Sequence, residues 1–384
     1  MKKTLCALAV GATICIPTMS AAADVKIYGR AHVSLDYLDD GKDYNEVGLS
    51  SNASRLGFKA EQKLENGMTV FGQIEQQINF SSGSSDSNSV DFSTRNTFVG
   101  LKSKFGQLKI GRFDSAFKVA RGPVNFFGDQ VGDLRNATRS GNLRFDERND
   151  NTIEYKTPQF ADGFQLTAAL SLHEGTTAGY SSNVSKETSQ TITVLDTDGV
   201  EHLIELPTGS EIHAKKGDSK NNKAYDLALT YNKNAIDFAA AYEHYEEDTN
   251  RGKRDAFRVA AAYNMHPAFN LGAFYQYATH DNSTANPNVQ VFGVAADYKI
   301  TPETTVRGHI FQRDVDAVEL DATLIALGIE HRLDKTARIY ANLATALNDE
   351  KSRITPWEQA RSNNVAGTAG KDTIGLSMGM RYDF

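Results

Sequence analysis

From about residue 24 onward, apolar and polar residues alternate in short runs separated by turn-forming residues. Successive side chains of a strand point to opposite faces, so each such run reads as a strand with one apolar and one polar face. In the first run Val25, Ile27, Gly29, Ala31, Val33, Leu35 and Tyr37 share one face, and Lys26, Tyr28, Arg30, His32, Ser34 and Asp36 share the other. The last run sets Leu376, Met378, Met380, Tyr382 and Phe384 on one face and small or charged residues on the other. In all, the alternation predicts sixteen strands, near Val25–Tyr37, Ser54–Leu64, Met68–Phe80, Arg95–Ser103, Gln107–Arg112, Thr152–Lys156, Phe164–His173, Ala224–Tyr231, Ile236–Tyr245, Arg254–Tyr263, Phe269–Tyr277, Val289–Tyr298, Thr304–Arg313, Asp321–Glu330, Ala337–Leu347 and Asp372–Phe384.

Short connections alternate with long ones. Glu65-Asn66-Gly67 is a tight hairpin turn, because Asn-Gly tolerates positive φ, whereas Phe113 to Asn151 and Glu174 to Lys223 are long. Past residue 23 there is no apolar stretch long enough for a membrane helix, yet a transmembrane barrel needs none, since only alternate residues meet lipid. Alternation alone also suits a secreted β-sandwich or β-helix; regular strand spacing and the two termini favour a barrel. Tyr155, Tyr231, Tyr242, Tyr263, Tyr275, Tyr277, Tyr298, Tyr382 and Phe384 fall near strand ends, where aromatic rings suit the headgroup boundary. Sixteen strands enclose a lumen too wide for side chains to fill. Parity turns Lys59, Glu61, Gln73, Glu75, Gln165, Glu243, Arg258, Gln276, Arg307, Arg313, Arg338 and Arg381 into it, and so many charges call for water inside. The fold class expected is therefore all-β, a 16-stranded antiparallel transmembrane barrel.

Residues 1–23 read as a cleaved export signal: Lys2 and Lys3, a short apolar stretch from Thr4 to Thr18, and an A-x-A site at Ala21-Ala22-Ala23, leaving residues 24–384 as the barrel. Both cysteines, Cys6 and Cys15, leave with it, which suits an oxidising compartment. Loss of Lys2 and Lys3 takes the formal charge from −7 to −9, an acidic balance that argues against nucleic acid.

Several motifs carry no chemistry. Gly375-Leu376-Ser377-Met378-Gly379 has the G-x-S-x-G spacing of a hydrolase nucleophile but lies inside a strand, where the required strand–turn–helix is missing. Asp196-Thr197-Asp198-Gly199 half-resembles a calcium loop, but Val194 would occupy the first ligand position, so a hairpin flanked by Thr191–Val194 and His202–Glu205 is the better reading. The histidines have no metal-ligand spacing, and neither a metal, a cofactor nor an enzymatic activity is expected.

The last strand, with its terminal aromatic, resembles the C-terminal signature of bacterial outer-membrane β-barrel proteins, which closes the barrel and is read by the assembly machinery. Tyr28-Gly29-Arg30, Ser54-Arg55-Leu56-Gly57-Phe58-Lys59, Phe98-Val99-Gly100-Leu101-Lys102 and Gly111-Arg112, in this order, make nearly the whole chain after residue 23 similar to the general diffusion porins of Gram-negative bacteria. The resemblance implies an outer-membrane homotrimer in contact with lipid and lipopolysaccharide, passing ions and small hydrophilic solutes through water-filled pores. It also implies a third loop folded inward and a cationic wall facing it. Arg30, Arg55 and Arg95 fall where the family has wall cations, and Arg148 fills a fourth place. Phe126-Phe127-Gly128-Asp129 resembles the loop tip, and aligned on it the family's paired acids fall at Arg121 and Asn125. This loop is therefore balanced rather than acidic, with Asp129 and Asp133 among its acids. A cationic wall beside a balanced loop predicts weak anion selectivity. A substrate-specific channel is the alternative, and would need an aromatic slide that scattered Tyr28, Phe274 and Phe311 do not supply.

Overall fold

A computed structural model describes residues 23–81, 95–139, 141–172, 180–195, 201–216 and 221–384. The expected signal, apart from Ala23, lies outside the described residues, as does the Asp-Gly turn at 196–199. The strands are β1 (Asp24–Asp39), β2 (Asn45–Ser51), β3 (Arg55–Lys63), β4 (Thr69–Gln77), β5 (Thr97–Ser103), β6 (Gly106–Asp114), β7 (Arg148–Lys156), β8 (Phe164–Ser171), β9 (Tyr180–Leu195), β10 (Glu201–Lys216), β11 (Ala224–Lys233), β12 (Ile236–Tyr245), β13 (Arg254–His266), β14 (Phe269–His280), β15 (Val289–Lys299), β16 (Thr304–Val315), β17 (Ala322–Arg332), β18 (Ala337–Asn348) and β19 (Thr373–Asp383).

All except β9 and β10 belong to one antiparallel sheet that closes on itself. β2 and β3 both pair with β1, the former along Val33–Asp39 and the latter along Asp24–Arg30. They form one barrel strand interrupted at Ala53, whose φ is +51°, and the wall then has the sixteen strands expected. The expectation for this strand is corrected at its start: it begins at Asn45 rather than Ser54. Val47 and Leu49 continue the exposed outer face. The polar residues that disguised it as a loop bond to groups of the wall. Ser54 Oγ accepts from the His32 amide and donates to its carbonyl, both at 2.9 Å, and Asn52 Nδ2 donates to Ser34 Oγ. Two smaller corrections matter for the site. β5 starts at Thr97, leaving Arg95 just before it, and β7 starts at Arg148, not Thr152.

Closure joins β19 to β1, from Arg30 opposite Asp383 to Asp39 opposite Ile374. Gly29 and Phe384 exchange amide–carbonyl bonds of 2.8 and 3.1 Å. A Cβ on Gly29 would stand 2.3 Å from the Phe384 ring, so the missing side chain makes room for the terminal aromatic. Leu376, Met378, Met380, Tyr382 and Phe384 all face outward and are exposed, as are Val25, Ile27, Phe58, Ile74, Leu271 and Ile310 along other strands. This is the lipid-facing surface of a barrel. Between β8 and β11 the chain leaves the wall as the β9–β10 hairpin, with Ile192 opposite Ile204.

The buried apolar residues lie inside the barrel. Two loops turn inward to form this core: the third loop, between β6 and β7, and the final loop, 349–372. The inward turn of the final loop is not foreseen from the sequence. Trp357 is fully buried there beside Leu38, Phe127, Val131, Ala326 and Ala344, with its Nε1 donating to the Val365 carbonyl at 2.8 Å. Arg361 forms a fully buried ion pair with Asp36 of β1.

Candidate functional site

The third loop carries two single-turn helices, α1 (Ala116–Val119) and α2 (Arg135–Thr138). Its apolar residues Phe117, Val124, Leu134 and Phe145 join one buried cluster with Ala224, Ala228, Ala239, Ala241, Ala256 and Ala260 on the inner face of β11–β13. Alanine keeps that wall low, and the loop fills the space. Burying each large side chain contributes about 1.5–3 kcal/mol, and wall polar groups fix the position. Asp226 of β11 accepts the Ala116 and Phe117 amides, capping α1. Arg258 of β13 donates to the Phe117 carbonyl at 2.9 Å and to both carboxylate oxygens of Asp146 at 2.8 Å. Arg307 of β16 donates to the Phe126 carbonyl at 2.7 Å, and Arg313 to that of Ala137. The inward charges Glu243, Arg258, Arg307 and Arg313, expected to meet water, are instead buried beneath the loop. The loop supplies partners to the three arginines, and Glu243 accepts from Asn149 of β7 and Tyr245 of β12, which offsets part of the penalty that made a dry setting improbable.

The opposite wall stays open. Arg30 of β1 lies directly opposite Arg55 of β3. Arg55 and Arg95 share one carboxylate, Glu75, at 3.7 and 2.6 Å, and Tyr28 donates to the same group at 2.9 Å. Arg148 and Lys118 share Asp114 at 3.1 and 2.7 Å. Across the gap, Asp129 of the loop reaches Arg30 at 3.5 Å and Arg135 at 2.8 Å. Between wall and loop lies a cavity of about 270 Å³ whose lining includes eight cationic and four acidic side chains.

Loop charges are tuned by this crowding. Burial alone would raise the pKa of Asp129, but Arg135, then Arg55 and Arg30, outweigh it and hold the carboxyl well below its usual range. Arg258 and Arg121 do the same for buried Asp146. Burial lowers Lys118 to about 8 despite its pairing with Asp114.

Of the residues singled out in the sequence, Arg55, Arg95, Arg121, Arg148 and Asp129 line this one cavity. Arg30 is drawn to Asp129 and to Asp383 of β19. Asp133 has no exposed surface and is covered by Arg135, which bonds it at 2.5 Å. Asn125 is not among the lining residues, and Arg121 is turned to Asp146 at 2.7 Å and to the Lys118 carbonyl. Sequence reasoning missed Arg112, Asp114 and Lys118 as members of the lining. An Asp–Lys pair four residues apart at 114 and 118 was the available signal.

A family model described as Gram-negative porin matches residues 5–351. The major outer membrane protein P.IB of Neisseria meningitidis is 30% identical over 172 residues, 42% of this chain and 47% of that protein. The chain thus spans about half the length of those relatives. Outer membrane porin protein 32 of Delftia acidovorans is 25% identical over 406 residues, covering all of both chains. Among solved structures, the anion-selective porin from Comamonas acidovorans superposes with a TM-score of 0.73 at 20% identity, over 94% of this chain and all of that one. The trimer form of OmpT from Vibrio cholerae gives 0.60 at 19% identity, over 94% of this chain and all of that one. At these identities the likeness of the solved structures is one of fold.

Proposed function

The chain belongs to the Gram-negative porin family, and we propose that it forms a water-filled outer-membrane channel for passive diffusion of ions and small hydrophilic solutes, weakly selective for anions. The observation that carries this reading is the cavity between wall and third loop, with twice as many cations as acids in its lining. Arginine stays charged at every relevant pH, so an excess of cations persists in this lining even where Lys118 loses its proton. Selectivity follows the field at the narrowest point rather than the overall charge. In this reading Arg30, Arg55, Arg95 and Arg148 form the cationic wall, and Arg121, Asn125, Asp129 and Asp133 belong to the loop that narrows the passage. Nothing is chemically transformed.

The active form we propose is a homotrimer, one pore per chain. Residues 1–23 act as its export signal, and its outer band contacts lipid and lipopolysaccharide. The closing strand serves as the mark read by the assembly machinery. A substrate-specific channel finds less support. Phe274 and Phe311 are buried beneath the third loop, and the Tyr28 hydroxyl is tied to Glu75, so these three do not form an aromatic track.

Planar-bilayer recording of the purified protein tests these points together. Stepwise current with closures in thirds is expected, and under a KCl gradient the reversal potential should have the sign of chloride preference. A cation-selective reversal would sink the selectivity reading. Folded barrels that pass no current would sink the channel.

A further inference from the structure

The mouth of the barrel contains a second cavity that solute diffusion does not require. It lies between the third loop and the final loop, which are fastened to each other. The Gly132 amide donates to the Pro356 carbonyl at 2.7 Å, and the Gln359 amide to Asn136 Oδ1 at 3.1 Å. Buried Trp357 and the Arg361–Asp36 pair hold the final loop to the wall. The cavity has a volume of about 520 Å³ and is lined by Arg139, Arg144, Arg353 and Glu358, with Ile354 and Ala366 as apolar surface.

Its charges are unbalanced. One carboxylate, Glu147, is shared by Arg139 at 2.6 Å, Arg144 at 3.7 Å and Arg251 at 3.9 Å. Arg353 makes no ion pair among the described residues. The Nε atoms of Arg139 and Arg144 are buried without a hydrogen-bond partner among the described residues. Burial, and after it the nearness of Arg139, lowers the pKa of Arg144. Guanidinium groups fixed this closely, with donors to spare, match the planar oxygens of an oxyanion.

We propose that this cavity is a binding subsite for a small oxyanion carrying two negative charges, of the phosphate or dicarboxylate type. The proposal deepens the pore reading and rests on it for its purpose. Arg139 lines this cavity and the inner one alike, so an anion held at the mouth is one step from the narrow passage.

Trp357 is the only tryptophan of the chain, and its neighbour Glu358 lines the cavity. Its emission therefore reports occupancy without any current being measured. Protein folded in detergent would be titrated at constant ionic strength with phosphate, with succinate, and with acetate as the single-charge control. A saturable change with phosphate or succinate is expected, and which of the two binds tighter identifies the source. Arg353→Ala and Arg144→Ala should each weaken it about tenfold, the loss of a charge-assisted bond, while Glu358→Gln should tighten it. The last change runs opposite to what general damage to the loop would produce. No saturable change with either dianion, equal affinity for acetate, or affinities indifferent to all three substitutions would overturn the subsite. A protein that conducts KCl but fails this titration loses the subsite and keeps the pore. One that binds the dianion but passes no current loses the pore and keeps the subsite.

Discussion

Two arginines and one carboxylate set the local charge at β3 and β4. Glu75 receives Arg95, Arg55 and the Tyr28 hydroxyl, so one negative charge answers two positive ones. Replacing Glu75 by Gln should therefore raise the anion-to-cation permeability ratio, and Arg148→Ala should lower it. A unit charge 4 Å from an ion in water is worth about 1 kcal/mol, attractive for one ion and repulsive for the other, so either change in the ratio reaches at most about thirtyfold; reversal potentials of the two variants measure it. Lys118 adds a titratable member. It faces Asp114 on one side and Arg148 and Arg121 on the other, and burial brings its pKa down to about 8. Below that pH the ammonium adds to the anion-attracting charge, and above it the amine is neutral. The permeability ratio should fall as pH rises from 6 to 10 with a midpoint near 8, and Lys118→Met should flatten that curve at the low-ratio end. The wall arginines were legible from parity and from family resemblance. The sharing of Glu75 was not, because it depends on the register that sets Arg55 opposite Gln77 and brings Arg95 back over the same carboxylate. Lys118 and Asp114 escaped notice for a related reason: they straddle a strand end and a loop start, and only the turn of α1 brings them together.

The third loop is an element whose position depends on a wall built to receive it. Alternation predicted β11–β13 well, yet their inner faces carry alanine where a watery lumen would favour polar residues. Ala224, Ala228, Ala239, Ala241, Ala256 and Ala260 were the visible sign that something apolar docks there. That sign was weak because alanine is unremarkable on either face of a strand. The final loop left a fainter mark still, one tryptophan in a polar stretch. Docking of the third loop hinges on Asp146, which takes two bonds from Arg258 and one from Arg121, with Thr138 as a further donor. Asp146→Asn would leave two buried guanidiniums without a counter-charge, at a cost of about 3–5 kcal/mol. The barrel ladder does not run through this residue, so the loop rather than the wall should give way. The variant should still migrate as a folded barrel on an unheated gel, while its third loop becomes a site of protease cleavage and its single-channel current grows larger and noisier. A variant as protease-resistant as the parent, with unchanged current, would show that apolar packing alone holds the loop.

At the scale of the whole molecule, the acidic chain and its cationic passage pull in opposite directions. The formal charge is −7, and acids such as Glu246, Glu247 and Asp248 stand in a connection between strands, whereas the cavity proposed as the passage is lined mainly by arginine and lysine. Which field an ion feels depends on distance measured in Debye lengths, about 10 Å at 0.1 M salt and about 3 Å at 1 M. The lining charges lie within a few ångströms of any ion that passes and act at both concentrations. Charges on the outer connections act over longer distances and are screened first. If the lining governs, the pore should prefer anions at 0.1 M KCl and keep a smaller preference of the same sign at 1 M. If the outer acids govern at low salt, the preference should be for cations there and should change sign as salt rises. Reversal potentials measured at one fixed gradient ratio across this range distinguish the two. A crossing from cation to anion preference would assign the low-salt selectivity to the outer connections and confine the role of Arg55, Arg95 and Arg148 to concentrated salt.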